Sequence, residues 1–421
     1  MFFKKQHRYR LDNSGIIHLA VHTKNHSNIF RLSVALKDSI NPTLLQKAFD
    51  LLTPRFPMLV AGIQNGFFHH YVIPVENTPV ILPDSQALSY MTKKQIKNCA
   101  MRVLYDEHHI AVEFFHSLTD GYGGSIFLKS LLSEYMRLAY GIHFTEATDF
   151  LVADSPSHPT NMEDSFLKYA GETGNSYTSV KSYQLKNAKK EEAQLHTTTI
   201  ILDVNDVLSV SRYYKLTLTE FLTALMADAI MGIQAKTEKP EDWKTVEIMV
   251  PVNFRRFFPS TTLRNFSLYI LSGIQPEQNN FPLEELASII SKQQKQQLTK
   301  EHLSSMITTN VRLEKYLCWV PLKLKCIGLH FGFHLTGSRN SCITISNLGN
   351  ISLPESLNSY ISEIDFMLTP RICSGYNCAV VSCNGQVHII ITRTGKVPQL
   401  EPILLKQLEN MGFYPEVIQT C

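Results

Sequence analysis

The apolar run Ala111-Val112-Glu113-Phe114-Phe115 stops at His116, and Ser117-Leu118-Thr119 lead on to Asp120-Gly121. After Tyr122-Gly123-Gly124, the residues Ile126, Phe127, Leu128, Leu131, Leu132, Tyr135 and Met136 keep helical spacing up to Gly141. A buried strand handing over to a long helix across a polar turn constrains the fold more than any other stretch. It places His116 at a strand end, where a rigid scaffold presents side chains to a cleft. A neutral imidazole there can take a proton near neutral pH, its ordinary pKa being about 6.5. The plainer reading is a hydrogen-bonded turn histidine, with Asp120 merely capping the helix.

Elsewhere the chain alternates both periodicities. Residues 16–21 and 29–36 read as strands, and Asn41-Pro42 opens a helix with the stripe Leu44, Leu45, Ala48, Phe49 and Leu52. Residues 67–72 and 102–105 read as further strands, and Asp106-Glu107-His108-His109 as an exposed hairpin turn rather than a ligand pair. In the second half the pattern predicts strands over 197–202, 245–250, 341–346, 378–382 and 387–392, with a hairpin at Asn384-Gly385. Thr217-Leu218-Thr219-Glu220 is a capping box ahead of a helix to about Gln234, helices fill 281–335, and 400–411 closes the chain.

At 421 residues the chain is too long for one ordinary core, so two domains are expected. Residues 151–195, with Asp154-Ser155-Pro156 and Lys189-Lys190-Glu191-Glu192, read as a linker or surface connection. That divides the chain into an N-terminal half, 1–150, and a C-terminal half, 196–421. Mixed strands and helices in both halves predict two α/β layered domains.

A net charge of +3 gives no reason to expect a nucleic-acid partner. No uninterrupted apolar segment approaches the roughly 20 residues of a membrane span. Lys4, Lys5, Arg8 and Arg10 make the start basic, but no apolar core with a cleavage site follows, so a secretory signal is not expected. The cysteines lack metal-knuckle spacing, and Cys373, Cys378 and Cys383 read as small buried residues on neighbouring strands. A reduced, cytoplasmic protein is the expectation. No zinc-protease helix motif, nucleophile elbow or phosphate loop occurs, so no metal site is predicted. Gly121-Tyr122-Gly123-Gly124 is too incomplete for a dinucleotide turn, since Ile126 stands where the third glycine belongs.

His116-Ser117-Leu118-Thr119-Asp120-Gly121 resembles the His-x-x-x-Asp-Gly signature of the chloramphenicol acetyltransferase-like superfamily. That group includes condensation domains, plant BAHD acyltransferases, wax-ester synthases and bacterial alcohol acetyltransferases. Pro251-Val252-Asn253-Phe254-Arg255 is similar to its Pro-Val-x-x-Arg element. Thr344-Ile345-Ser346-Asn347-Leu348-Gly349 is similar to the strand end of the alcohol acetyltransferase-like branch. Phe115 stands where condensation domains carry a first histidine, and the BAHD Asp-Phe-Gly-Trp-Gly element is absent, so the resemblance leans to stand-alone bacterial enzymes.

The resemblance implies two α/β sandwich halves around a central tunnel, and acyl transfer from a thioester, acyl-CoA or a carrier-protein thioester, to an alcohol. No tightly bound cofactor and no covalent enzyme intermediate are implied. His116 would be the general base and Ser346, with Asn347 second, the oxyanion donor. Asp120 would pair with Arg255, or failing that with Arg256 or Arg264. An amine acceptor, or a catalytically silent binding module, is the alternative, and the resemblance leaves room for a peripheral membrane contact.

Overall fold

The computed structural model describes residues 8–24, 26–143, 145, 150–171, 181–185, 195–278 and 281–420. Among them, three sheets organise the chain. The first has five strands, ordered Ile361–Leu368, Ile29–Leu36, His109–Phe115, Met101–Tyr105 and Leu82–Pro83. Every residue of Ile29–Leu36 is buried, as expected of an inner strand covered on both faces. The arginine in this strand has a reason to be there: Arg31 bonds Asp84 and Glu113, and Arg102 also meets the fully buried Glu113. Helices Pro42–Leu52 and Gly121–Tyr140 pack together beside this sheet and fill its core with Leu45, Phe49, Phe127 and Leu131.

The second sheet has seven strands, in the order Ser267–Ile274, Val246–Asn253, Ile343–Asn350, Tyr376–Cys383, Gln386–Arg393, His196–Asp203 and Glu416–Thr420. The pairs that Ile343–Asn350 makes with both its neighbours are parallel. Its core helix, Leu218–Thr237, starts at the anticipated capping box, with both reciprocal bonds formed. By length and composition this helix could cross a membrane, yet 72% of its most apolar window is buried inside the protein. The Asn384-Gly385 turn has φ of 48° and 80°, the left-handed pair that a two-residue hairpin requires. A small third sheet joins Tyr9–Arg10, His70–Pro74 and Ala61–Asn65.

Several expectations are corrected. Residues 16–21 are no strand: Asn13–Ala20 is a helix, capped by Asp12, which accepts from the Gly15 amide. A short apolar run looks alike in either periodicity, and the cap decides it. The strand expected from 67 begins at His70, because Gly66 to His69 form the turn of a hairpin with Ala61–Asn65. Cys378 and Cys383 share one strand, while Cys373 precedes it.

Strand Ile361–Leu368 joins the sheet of the first half, antiparallel to Ile29–Leu36, so a cut at 195 does not sort every strand. It also packs against the second sheet, with His388 Nδ1 and Asp365 Oδ1 2.7 Å apart. Within the expected linker, Leu151 belongs to the first core and Phe166, Tyr183 and Leu185 to the second. Lys189-Lys190-Glu191-Glu192, Lys4 and Lys5 lie outside the described residues.

Candidate active site

Strand His109–Phe115 ends and the chain turns through His116 to Leu118 before the helix Gly121–Tyr140 begins. The turn is held from the first half by the His116 amide donating to the Asn28 carbonyl at 2.9 Å. Ser117 Oγ donates to the Gly15 carbonyl at 2.7 Å. From the second half three contacts clamp it. Thr119 Oγ1 donates to the Leu263 carbonyl at 2.6 Å. Asp120 Oδ2 accepts from Arg255 Nη1 at 2.7 Å and from the Phe266 amide at 2.8 Å. Gly121 lies so close to Leu348 that a Cβ there would stand 2.3 Å from its Cδ2. The glycine of the motif is thus a point of close approach between the helix of the first half and the second sheet.

Asp120 fills both roles that the sequence left as rivals. Its Oδ1 caps the helix by accepting from the Gly123 amide at 3.2 Å, while its Oδ2 serves the second half. The ion pair is buried, each side chain 5% exposed. Arg255 spends its remaining donors on the carbonyls of Thr262 and Arg264 and on Asn253 Oδ1, and stacks over Tyr122. The fallback arginines are engaged elsewhere: Arg264 faces Asp12 and Asp164, and Arg256 is exposed near Gly349.

The His116 ring is stacked on His18, centroids 4.5 Å apart and 11° from parallel, and meets the edge of Phe30. Its Nδ1 is buried without a hydrogen-bond partner from another residue. Burial lowers its pKa below the ordinary imidazole value, with its own backbone and the Asp120 charge pulling the other way. The imidazole is therefore neutral at pH 7, the form that can accept a proton. Burial, then the neighbouring His116, holds His18 still further down. His18 escaped the sequence reading because its segment was taken for a strand. Asp12 ahead of Asn13-Ser14-Gly15 was the available signal.

These shifts carry a sign. The folded pKa of His116 lies below the unfolded value of about 6.5, so the unfolded chain takes up the proton first. Stability is therefore full above about 6.5 and falls as the pH drops through that value. Burial lowers His18 in the same sense and His26 to about 4, which steepens the loss. Melting temperatures followed from about pH 7.5 to 5 should decline, with a shallower decline for His116→Ala. Superimposable wild-type and variant profiles would show that His116 titrates alike folded and unfolded.

On strand Ile343–Asn350, Ile343 and Ile345 enter the second core, so alternation sends Thr344 and Ser346 to the opposite face, while Leu348, past which the strand bulges, packs against Gly121. Asn347 points the other way, donating to Thr219 Oγ1 at 3.1 Å and accepting from the Gly349 amide. Of the two candidate oxyanion donors, Asn347 is committed to Thr219 and Ser346 lies on the opposite face of the strand.

Solved structures share this architecture. The F. sporotrichioides TRI101 protein complexed with coenzyme A and T-2 matches at TM-score 0.64 and 11% identity, over 98% of this chain and 99% of that one. The starter condensation domain of rhizomide synthetase, in complex with C8-CoA and Leu-SNAC, matches at 0.59 and 14%, over 95% and 92%. The chain has the chloramphenicol acetyltransferase-like fold. Polyketide synthase associated protein 5 from Mycobacterium tuberculosis also shares this fold, at TM-score 0.56 and 16% identity over 95% and 96% of the two chains. No family model and no curated protein matches the sequence.

Proposed function

We propose that this chain transfers an acyl group from an acyl thioester, carried by coenzyme A, to an alcohol hydroxyl. The observation that carries the reading is the neutral, buried imidazole of His116, fixed by both halves at the turn where their sheets meet. The TRI101 and condensation-domain structures solved with coenzyme A or C8-CoA support the choice of donor. F. sporotrichioides TRI3, a trichothecene 15-O-acetyltransferase of the same fold at 10% identity, supports a hydroxyl acceptor. The resemblance of the Thr344–Gly349 segment supports the alcohol acetyltransferase-like branch.

In this reading the imidazole takes the hydroxyl proton as the oxygen attacks the thioester carbonyl carbon. The tetrahedral oxyanion receives a hydrogen bond from Ser346 Oγ. Collapse breaks the carbon–sulfur bond, and the imidazolium returns its proton to the leaving thiolate. Because a thioester is already activated, no enzyme-bound acyl group is needed.

A thiol-release screen of acyl-CoAs against pooled alcohols and amines tests the reaction. Release that depends on an alcohol supports it, release that depends only on amines makes it an N-acyltransferase, and none at all removes the enzymatic reading. Ser346→Ala should lower kcat by roughly 100-fold with KM little changed, as expected for a donor used in the transition state. Unchanged kcat would remove Ser346 from the site.

A further inference from the structure

Among the described residues, one cation lies beside this site with no carboxylate bonded to it. Arg371 follows strand Ile361–Leu368 in the loop that leaves the first sheet for the second. Thr369, two residues before it, is bonded to the backbone of Ile29, next to Asn28, whose carbonyl holds the His116 amide. From there the guanidinium reaches the second sheet, donating to Thr344 Oγ1 at 3.2 Å, Met249 Sδ at 3.4 Å and Asn340 Oδ1 at 3.3 Å. Thr344 is two residues from Ser346 on one strand face, a separation of about 7 Å.

Among the described residues no carboxylate pairs with Arg371, and its Nε is buried without a partner. Burial lowers its pKa, with only Tyr269, Cys342 and Cys373 opposing. The acid on the adjacent strand, Glu247, feels burial alone. Buried charges are ordinarily paired, so an arginine left with neutral partners marks a place for an anion.

We propose that Arg371 is a binding residue for a carboxylate carried by the substrate a short way from the reacting carbonyl. This rests on the acyl-transfer reading and narrows its substrate class. The phosphates of coenzyme A do not fit the place, since the pantetheine arm keeps them far from the thioester.

The test compares glycolate, 3-hydroxybutyrate and salicylate with their methyl esters as acceptors, and succinyl-CoA with butyryl-CoA as donors. The carboxylate member of a pair should be favoured by about tenfold or more in kcat/KM in wild type. Arg371→Gln should erase the preference, lowering kcat/KM for the carboxylate member of each pair far more than for its neutral partner. A preference in the first series places the anion on the acceptor, and in the second on the acyl group. Turnover of all substrates without preference overturns the proposal and leaves acyl transfer standing. Absence of any turnover counts against the acyl-transfer reading instead. The anion site is then read from the wild-type melting temperature, which succinate should raise and dimethyl succinate should not; no rise overturns it.

A second observation is independent of this. Helices Lys300–Leu317 and Leu322–Gly332 and the turn after them expose Tyr316, Trp319, Leu324, Ile327, Phe331 and Leu335, each 53–81% accessible. Leu324, Ile327, Phe331 and Leu335, spaced three, four and four, share one face of the second helix and its continuation, and Tyr316 and Trp319 immediately precede it at the end of the first helix and in the turn before Pro321. Arg312, Lys315, Lys323 and Arg339 are exposed along the same stretch, and between Arg312 and Arg339 the sole acid, Glu314, is buried against Arg10, the exposed Glu301 lying at the far end of the first helix. Aromatic and aliphatic side chains ringed by cations complement an anionic lipid surface.

The structure assigns this face to the headgroup region of an anionic membrane. It lies by the site, since His330 of the second helix contacts the carbonyl of Ala20, on the helix carrying His18. The wild-type protein should sediment with vesicles of equimolar phosphatidylcholine and phosphatidylglycerol and far less with phosphatidylcholine alone. Trp319→Glu with Phe331→Glu should abolish this and leave the fold intact by circular dichroism. No sedimentation of wild type, unchanged sedimentation of the variant, or a wild-type dimer that the variant dissolves would overturn the assignment.

Discussion

Asp120→Ala should lower the unfolding free energy by about 3–5 kcal/mol, because it strands the buried Arg255 guanidinium without its carboxylate. That is a large share of a typical net stability of ~5–15 kcal/mol. Arg255→Ala should cost a similar amount, since it frees the Thr262 and Arg264 carbonyls as well as Asp120. The pair spans 135 residues of sequence, so both losses loosen the same junction between the halves. In a denaturant-melt double-mutant cycle, the double variant should cost well below the sum of the two singles. Additive losses would show that the pair contributes nothing as a pair.

Asp120→Asn separates the two duties of the side chain. An asparagine oxygen can keep the helix cap on the Gly123 amide, so a purely capping residue would tolerate the change. Its amide nitrogen would then face Arg255 Nη1 and the Phe266 amide, three donors with no acceptor between them. Flipping the amide merely moves the clash to the cap. Asp120→Asn should therefore be destabilised nearly as much as Asp120→Ala, and wild-type stability would reduce the aspartate to a cap.

His116→Ala should have the opposite profile, losing roughly 100- to 10,000-fold in kcat, the range for removing a general base. Its melting temperature should stay near wild type, because two terms offset. Removing the ring forfeits stacking on His18 and Phe30, about 0.5–1.5 kcal/mol. It also removes a buried Nδ1 that no other residue meets, whose desolvation costs about 1–3 kcal/mol. Turnover near the wild-type rate in a stable His116→Ala protein would take the base away from this residue.

The local signals in the sequence named the motif turn, the capped helices and the Asn384-Gly385 hairpin, because each depends on neighbours a few residues apart. A histidine in the turn after a strand and a capping aspartate are legible for the same reason, whereas Ser346, expected at the end of a strand over 341–346, lies in the middle of Ile343–Asn350. The pairing of Asp120 with Arg255 came through the family resemblance, since no local rule connects residues 135 apart.

Tertiary structure alone decided where strand Ile361–Leu368 goes: into the sheet of the other half, against Ile29–Leu36. A strand's burial pattern states which face is apolar but not which edge it will join. That crossing delivers Arg371 to the site from a part of the chain that no motif singles out. His18 was likewise hidden, because eight residues of mixed apolar content suit a helix or a strand equally. Only the Asp12 cap and the packing against His116 choose the helix and bring the two imidazoles together.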